Sequence, residues 1–184
     1  MKTDSFRVYL RAFEPDDYLT TVKWHNDNEI WGMVGSPKYF VSHEYEKKWI
    51  EDAIWSKAQI KLGICLKEND KLIGFGAVTD MDWINRSAHC PSMIGEKEYW
   101  GKGLASEARI LLLDFAFCER GLNRVNVLIL EGNTASLKIC EKCGFQVEGV
   151  LRQSIFKQGR FHNQVVMSLL QEEFYAMFRD RGLG

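Results

Sequence analysis

Apolar and polar residues alternate over residues 6–10, which puts Val8 and Leu10 on one face and predicts a first strand. Glu14-Pro15-Asp16-Asp17 follows, a helix-start signal with proline and acids in the first turn. The period then becomes helical, in a helix carrying Tyr18, Leu19 and Val22, with Trp24 near its end. A break from Gly32 to Pro37 leads to Ser42, an N-cap for a helix carrying Tyr45, Trp49, Ile50, Ala53 and Ile54. Residues 60–66, 71–81 and 87–94 read as three antiparallel strands, turned at Glu68-Asn69-Asp70 and around Asn85-Arg86. After Gly101 and Gly103 the spacing is helical again (Leu104, Ala105, Ala108, Leu111, Leu112, Phe115, Ala116) and continues to about Arg120. A strand at 125–130, a helix at 135–143 and two strands at 146–155 and 163–170 complete the chain, the last pair turned by Lys157-Gln158-Gly159-Arg160. The predicted order is β-α-α-β-β-β-α-β-α-β-β, with no internal repeat, low-complexity tract or linker.

Composition adds a few limits. With 184 residues, 46% of them apolar, and only three prolines, the chain is expected to form one domain over residues 1–184 around a substantial core. A net charge of −1 lacks the basic footprint of a nucleic-acid binder. No apolar run reaches the roughly 18 residues of a membrane span, and M-K-T-D-S-F-R-V-Y-L has no signal-peptide core, so no membrane partner and a cytoplasmic location are expected. Cys65, Cys90, Cys118, Cys140 and Cys143 lie in apolar segments and read as reduced, buried thiols. Cys140 and Cys143 have C-x-x-C spacing, but no second pair of ligands accompanies them, and no metal is expected.

Residues 99–108, Y-W-G-K-G-L-A-S-E-A, join a strand-like segment ending at Met93 and Ile94 to the long helix. Strand, glycine-rich turn and helix offer bare backbone N–H groups to an anion. The first helical turn has unpaired donors and a partial positive charge, and glycine lets a ligand approach closely. A phosphorylated ligand is therefore expected. The turn is not a Walker loop, because Gly103 follows Lys102 where a hydroxyl is needed. It matches the dinucleotide fingerprint only at Gly101 and Gly103, with Ser106 in the last place, and lies far from a first β-α-β unit.

A second segment, residues 133–145, N-T-A-S-L-K-I-C-E-K-C-G-F, narrows the choice. Together the two segments resemble the GNAT superfamily of acyl-coenzyme A N-acetyltransferases. Gly103 and Ala105 fill the G-x-[GA] places of its pyrophosphate loop, Trp100 stands where Gln or Arg is usual, and Asn133 begins the N-x-x-[SA] helix. The tryptophan and the late run Gly144–Phe145, Glu148–Gly149, Leu151–Arg152 and Gly159 are similar to the branch with ribosomal-protein N-terminal, polyamine and amino-sugar acetyltransferases. The resemblance covers nearly the whole chain. It implies an α/β (α+β) fold, a single mixed, mainly antiparallel twisted sheet with helices on both faces. It also implies acetyl-coenzyme A as cofactor, held by Trp100, Gly101, Lys102, Gly103, Leu104, Ala105 and Ser106, with the pantetheine arm along Met93 and Ile94 and with Asn133 and Ser136 beside the thioester.

Acyl transfer to an amine needs a neutral amine and a proton for the departing thiolate. Arg86-Ser87-Ala88 is followed by His89 where this branch commonly has Glu, so His89 is a candidate base, the other reading being a polar strand-surface residue. The tyrosine that many relatives use as acid is replaced by Cys140, which leaves Ser136 and Cys140 as candidate acids, with solvent as the alternative. Aromatic residues crowd between Trp24 and Trp55. Tyr45 and Trp49, at i and i+4, read as core packing, whereas Trp31 and Tyr39 in the loop are candidates for a substrate wall. Asp27, Glu29, Glu44 and Glu46 lie nearby, with two readings open: a field for a cationic amine, or ordinary solvated helix faces. The expected acceptor is an amino sugar, a polyamine or a peptide N-terminus, and the expected assembly a monomer or homodimer. A non-catalytic acyl-coenzyme A binding module is the competing reading.

Overall fold

A computed structural model describes residues 5–178. Strand β1 (Val8–Ala12) leads through a proline-started turn into α1 (Tyr18–Asn26), α2 (Asn28–Met33) and α3 (His43–Trp55). Strands β2 (Ile60–Leu66), β3 (Leu72–Asp82), β4 (Ser87–His89) and β5 (Ser92–Ile94) come next, then α4 (Leu104–Asp114), which runs on into a wider turn, Phe115–Glu119. The chain continues through β6 (Arg124–Leu130), α5 (Thr134–Lys142), β7 (Gln146–Lys157), β8 (Arg160–Leu170) and α6 (Gln171–Phe178). The strands lie in the order β1-β2-β3-β4-β6-β8-β7, with β5 also on β3, and only β4 and β6 run parallel. The sheet is thus mixed and mainly antiparallel.

Alternation along the strands supplies two cores. Val8, Ile64, Ile73, Ile94, Val125, Val127 and Met167 pack beneath α4, α5 and α6. Phe13, Cys65 and Leu72 pack on the opposite face against Trp24, Ile30, Ile50 and Ala53 of α1–α3. Gly95 lets the two elements of that second layer approach, because a Cβ there would lie 2.1 Å from the Trp24 indole. The indole N–H then donates to Glu96 Oε1 at 2.8 Å, fixing α1 against the end of β5.

The structure departs from the sequence expectations at four places. The segment 87–94 is two strands, because its partners change at Cys90 and Pro91. A short helix, α2, lies between the two expected early helices, capped by Asp27, whose side chain accepts from the amides of Glu29 and Ile30. Leu19 and Tyr45 face solvent, and the inward side of α1 is Thr21, Val22 and Trp24. A C-terminal helix, α6, plants Phe174 and Phe178 in the core beside Phe117.

Candidate active site

The site is created where two neighbouring strands part. β4 pairs with β6 through Ser87–Arg124, Ala88–Val125 and His89–Asn126, and the Cys90 N–H donates to the Asn126 carbonyl at 3.0 Å. A parallel ladder would next join the Cys90 carbonyl to the Leu128 N–H. Instead, the Cys90 carbonyl accepts from Arg109 Nη1 at 2.6 Å, β5 stays with β3, and β6 continues with β8. The gap is a cavity of about 660 Å³.

Backbone alternation decides which groups face it. Pro91 and Gly95 bond to β3 (Ala77 N–H to Pro91 O, 2.9 Å; Gly95 N–H to Ile73 O, 2.8 Å), and Met93 lies opposite Phe75. Ser92 and Ile94 therefore present their backbone groups to the gap, and the Trp100 indole N–H already holds the Ile94 carbonyl at 2.8 Å. The bulge in this region lies on β3 between Thr79 and Asp82, where Asp80 has a φ of 52°, so parity along 89–94 is unbroken. Cys90 and Ile94 point beneath α4, while His89 shares the face of Met93 on the α1–α3 side.

The open end of the gap meets the glycine turn. Gly101 and Gly103 have φ of 71° and 82°, and Gly103 caps α4 with no side chain to take up the first amides. Ser106 and Glu107 give their N–H groups to the Gly103 carbonyl (3.1 and 3.3 Å), which leaves the Leu104 and Ala105 amides as first-turn donors with no acceptor inside the helix. Arg7, unforeseen from the sequence, braces the turn: Nη2 donates to Lys102 O at 2.8 Å, and the same guanidinium grips Glu107 at 2.6 and 2.9 Å. Arg7, Lys67, Tyr99 and Lys102 line a second cavity of about 360 Å³ beside it.

His89, Trp100, Gly101, Gly103, Leu104, Ala105, Ser106, Asn133 and Ser136 all line the main cavity, as do Met93 and Ile94. Lys102 lies outside, its ammonium over the Tyr99 ring at 5.2 Å. Burial holds the His89 imidazole below its ordinary pKa; Asp80 opposes that effect and Arg109 reinforces it. Cys140 does not line the cavity. It is fully buried in the core with Phe145 and Ile129, and burial pushes its thiol up, away from any ready proton exchange.

Near α2 the cavity is lined by Ile30, Met33, Val34 and Gly35. Trp31 is turned away, its indole N–H spent on the His25 carbonyl and its ring facing Lys157 at 5.7 Å, and Tyr39 is exposed. Neither lines the cavity. The acids near it are engaged within the chain: Asp27 and Glu29 with Lys97 (2.8 and 3.0 Å), Glu44 with Lys47 (2.8 Å), and buried Glu46 with His25 (2.8 Å). Asp27 and Glu29 share the single ammonium of Lys97, Glu44 is largely exposed beside Lys47, and only Glu46 is buried, so pairing weakens the negative field here without removing it. The sequence could not disclose this, since Lys97 and His25 reach them only through the fold.

Comparison with known proteins agrees with this geometry. Residues 7–146 match the model of the acetyltransferase (GNAT) domain. The uncharacterized N-acetyltransferase p20 of Bacillus licheniformis is 31% identical over 170 residues, 91% of this chain and 95% of that one. The spermidine N(1)-acetyltransferase of Escherichia coli K12 is 29% identical over 109 residues, 59% of this chain and 58% of that one. The crystal structure of spermidine N-acetyltransferase from Vibrio cholerae in complex with CoA and spermine matches with a TM-score of 0.84 at 25% identity, covering 91% of this chain and 98% of that one. The family match over residues 7–146 and the relative at 31% identity place the chain in the GNAT family, as an N-acetyltransferase.

Proposed function

We propose that this domain, residues 1–184, transfers an acetyl group directly from acetyl-coenzyme A to the primary amine of a small molecule, an amino sugar or polyamine, or of a peptide N-terminus. The observation that carries the reading is the gap between β5 and β6 that opens onto the side-chain-free cap of α4. An anionic, elongated ligand fits it: phosphates on the Leu104 and Ala105 amides beside Arg7 and Lys102, and an amide-bearing arm along the backbone of Ser92 and Ile94. Acetyl-coenzyme A, when bound, supplies the activated acetyl thioester. The relatives' polyamine substrates and the coenzyme A complex of the Vibrio cholerae enzyme support both the cofactor and the amine.

The chain's own groups complete the chemistry. His89, neutral near pH 7 because burial disfavours its charge, accepts the proton that an ammonium must lose before it can attack. Ser136, in the first turn of α5 and lining the cavity, holds a hydroxyl proton where sulfur must be protonated. Asn133 caps α5, accepting the Ser136 amide at 3.0 Å, and so fixes that hydroxyl's position. The apolar mouth formed by Ile30, Met33 and Val34, with the Asp27 and Glu29 carboxylates only partly offset by Lys97 nearby, is what sorts acceptors.

Thiol release from acetyl-coenzyme A should be followed against spermidine, amino sugars, nucleotide-linked amino sugars and N-terminal peptides. Amine-dependent release with formation of the N-acetyl product is expected. Tight coenzyme A binding with no release for any amine would make the protein a non-catalytic acyl-coenzyme A binding module.

A further inference from the structure

Arg109 breaks a rule of protein interiors. It lies on α4 at 4% exposure, yet among the described residues no carboxylate pairs with it. Nη1 holds the Cys90 carbonyl at 2.6 Å, the guanidinium carbon sits 5.9 Å from the Phe145 ring centre, and buried Nε has no partner. A buried cation normally has an anion beside it, because desolvation is costly. Arg109 also lines the main cavity, beside the Cys90 carbonyl where β4 and β6 part and six residues along α4 from the Gly103 cap. The titratable groups that feel it are His89 at the end of β4, Cys90 just after it, Cys140 on α5 and Cys143 at the C-cap of α5, none of them an anion at neutral pH. Lys138, at the cavity rim on α5, adds only another positive charge.

We infer that Arg109 is the counter-cation for the coenzyme A sulfur, stabilising the negative charge that develops there as the acetyl group leaves. The inference rests on the assignment of the cleft to an acetyl thioester. In that reaction the amine nitrogen bonds to the acetyl carbon and the carbon–sulfur bond breaks. The bonding pair stays on sulfur, and the amine's proton passes to His89 or water. Sulfur thus carries a full negative charge until a proton reaches it, from Ser136 or from solvent. A ligand whose phosphates sit on the turn and whose arm follows β5 brings its far end to the point where β4 and β6 part, beside Arg109. A fixed charge already desolvated needs no reorganisation when charge develops beside it, which is the condition for strong electrostatic stabilisation. Cys140 is buried away from the cavity, and the guanidinium does the work of making sulfur a good leaving group.

The test is a pair of calorimetric titrations, with coenzyme A and with desulfo-coenzyme A, between about pH 6 and pH 9, spanning the ordinary thiol pKa near 8.5. Arg109 lowers the pKa of the bound thiol, so the wild-type preference for coenzyme A over the desulfo analogue should grow at least about tenfold across that range, the equivalent of one pKa unit. Arg109→Met should flatten the ratio, Arg109→Lys should keep part of it, and kcat of Arg109→Met should fall about 10²–10³-fold with little change in the KM for acetyl-coenzyme A. A wild-type ratio that does not rise with pH overturns the inference without any variant. So does an Arg109→Met protein with the wild-type ratio, which would leave Arg109 as a support for the Cys90 carbonyl. Faster turnover of succinyl-coenzyme A than of acetyl-coenzyme A, reversed only by Arg109→Met, would also overturn it and give the charge to an acyl carboxylate. Wild-type protein that binds neither ligand removes the cofactor assignment and this inference with it.

Discussion

Asn133 holds Met33 across the mouth of the cleft: its side-chain amide donates to the Met33 carbonyl at 2.9 Å while its Oδ1 accepts the Ser136 amide at 3.0 Å. One side chain therefore caps α5 and ties down the end of α2, which contributes Ile30 and Met33 to the proposed acceptor side. Two variants separate these roles. Asn133→Ala loses both and should cost about 1 kcal/mol of stability, the usual value of a cap. Asn133→Asp keeps the cap acceptor but has no donor for Met33, so stability should fall less while the KM for the acceptor rises. Urea unfolding and saturation with a turned-over amine measure the two effects; equal acceptor KM in all three proteins would show that α2 holds its place without Asn133.

Gly95 should tolerate no side chain. Its missing Cβ is where the Trp24 ring lies, at 2.1–2.4 Å, and Trp24 is buried and hydrogen-bonded to Glu96. Gly95→Ala must displace the indole or the end of β5, and overpacking of this kind costs about 1–3 kcal/mol. Thermal unfolding measures the loss. Because β5 borders the cleft, coenzyme A affinity should weaken together with stability.

Ser136 and Cys140 differ in what they touch, and their alanine variants should differ in kind. Ser136→Ala removes a hydroxyl at the cavity wall and should lower kcat with cofactor affinity nearly intact, the signature of an interaction made in the transition state. Cys140→Ala removes packing from a fully buried site and should cost about 0.5–1.5 kcal/mol, comparable to deleting one methylene, with kcat unchanged. A reversed pattern would restore Cys140 as the proton donor.

Much of this site is legible in the chain because its signals are local. Gly101 and Gly103 announce a left-handed turn before a helix, Asn133 announces a cap, and Lys157-Gln158-Gly159-Arg160 announces a two-residue hairpin loop, with Gln158 and Gly159 at φ of 52° and 77°. What escapes depends on distant partners. Pro91 marks a weak point in the ladder over 87–94, and the family resemblance implies an opening there, but which neighbour leaves and after which residue is decided by β6 and β8, far along the chain. Arg109 occupies a position between Ala108 and Ile110 where a charge reads as solvated, and only the open ladder makes room for its burial. The helix at 171–178 is masked by the strand that runs straight into it.

His89 gives the sharpest pH test. Burial lowers its pKa from 6.5, Asp80 raises it, Arg109 lowers it further and the Asn126 backbone raises it, for a net value below 6.5. With the neutral ring as the proposed base, kcat/KM should fall as pH drops through that lowered value, provided the acceptor amine does not mask it. His89→Gln should remove the acidic limb and reduce the rate about 10²–10⁴-fold, and His89→Glu should recover part of the rate with the limb moved to lower pH. The same shift acts on stability. Below pH 6.5 the unfolded chain takes up a proton at His89 that the folded chain resists, so the contribution to stability is present above 6.5 and is lost as pH falls through the folded value. His89→Gln should shrink that loss in unfolding measurements. If the stability difference disappears in His89→Gln but the activity limb remains, His89 is a buried strand residue and the amine's proton leaves through a water chain.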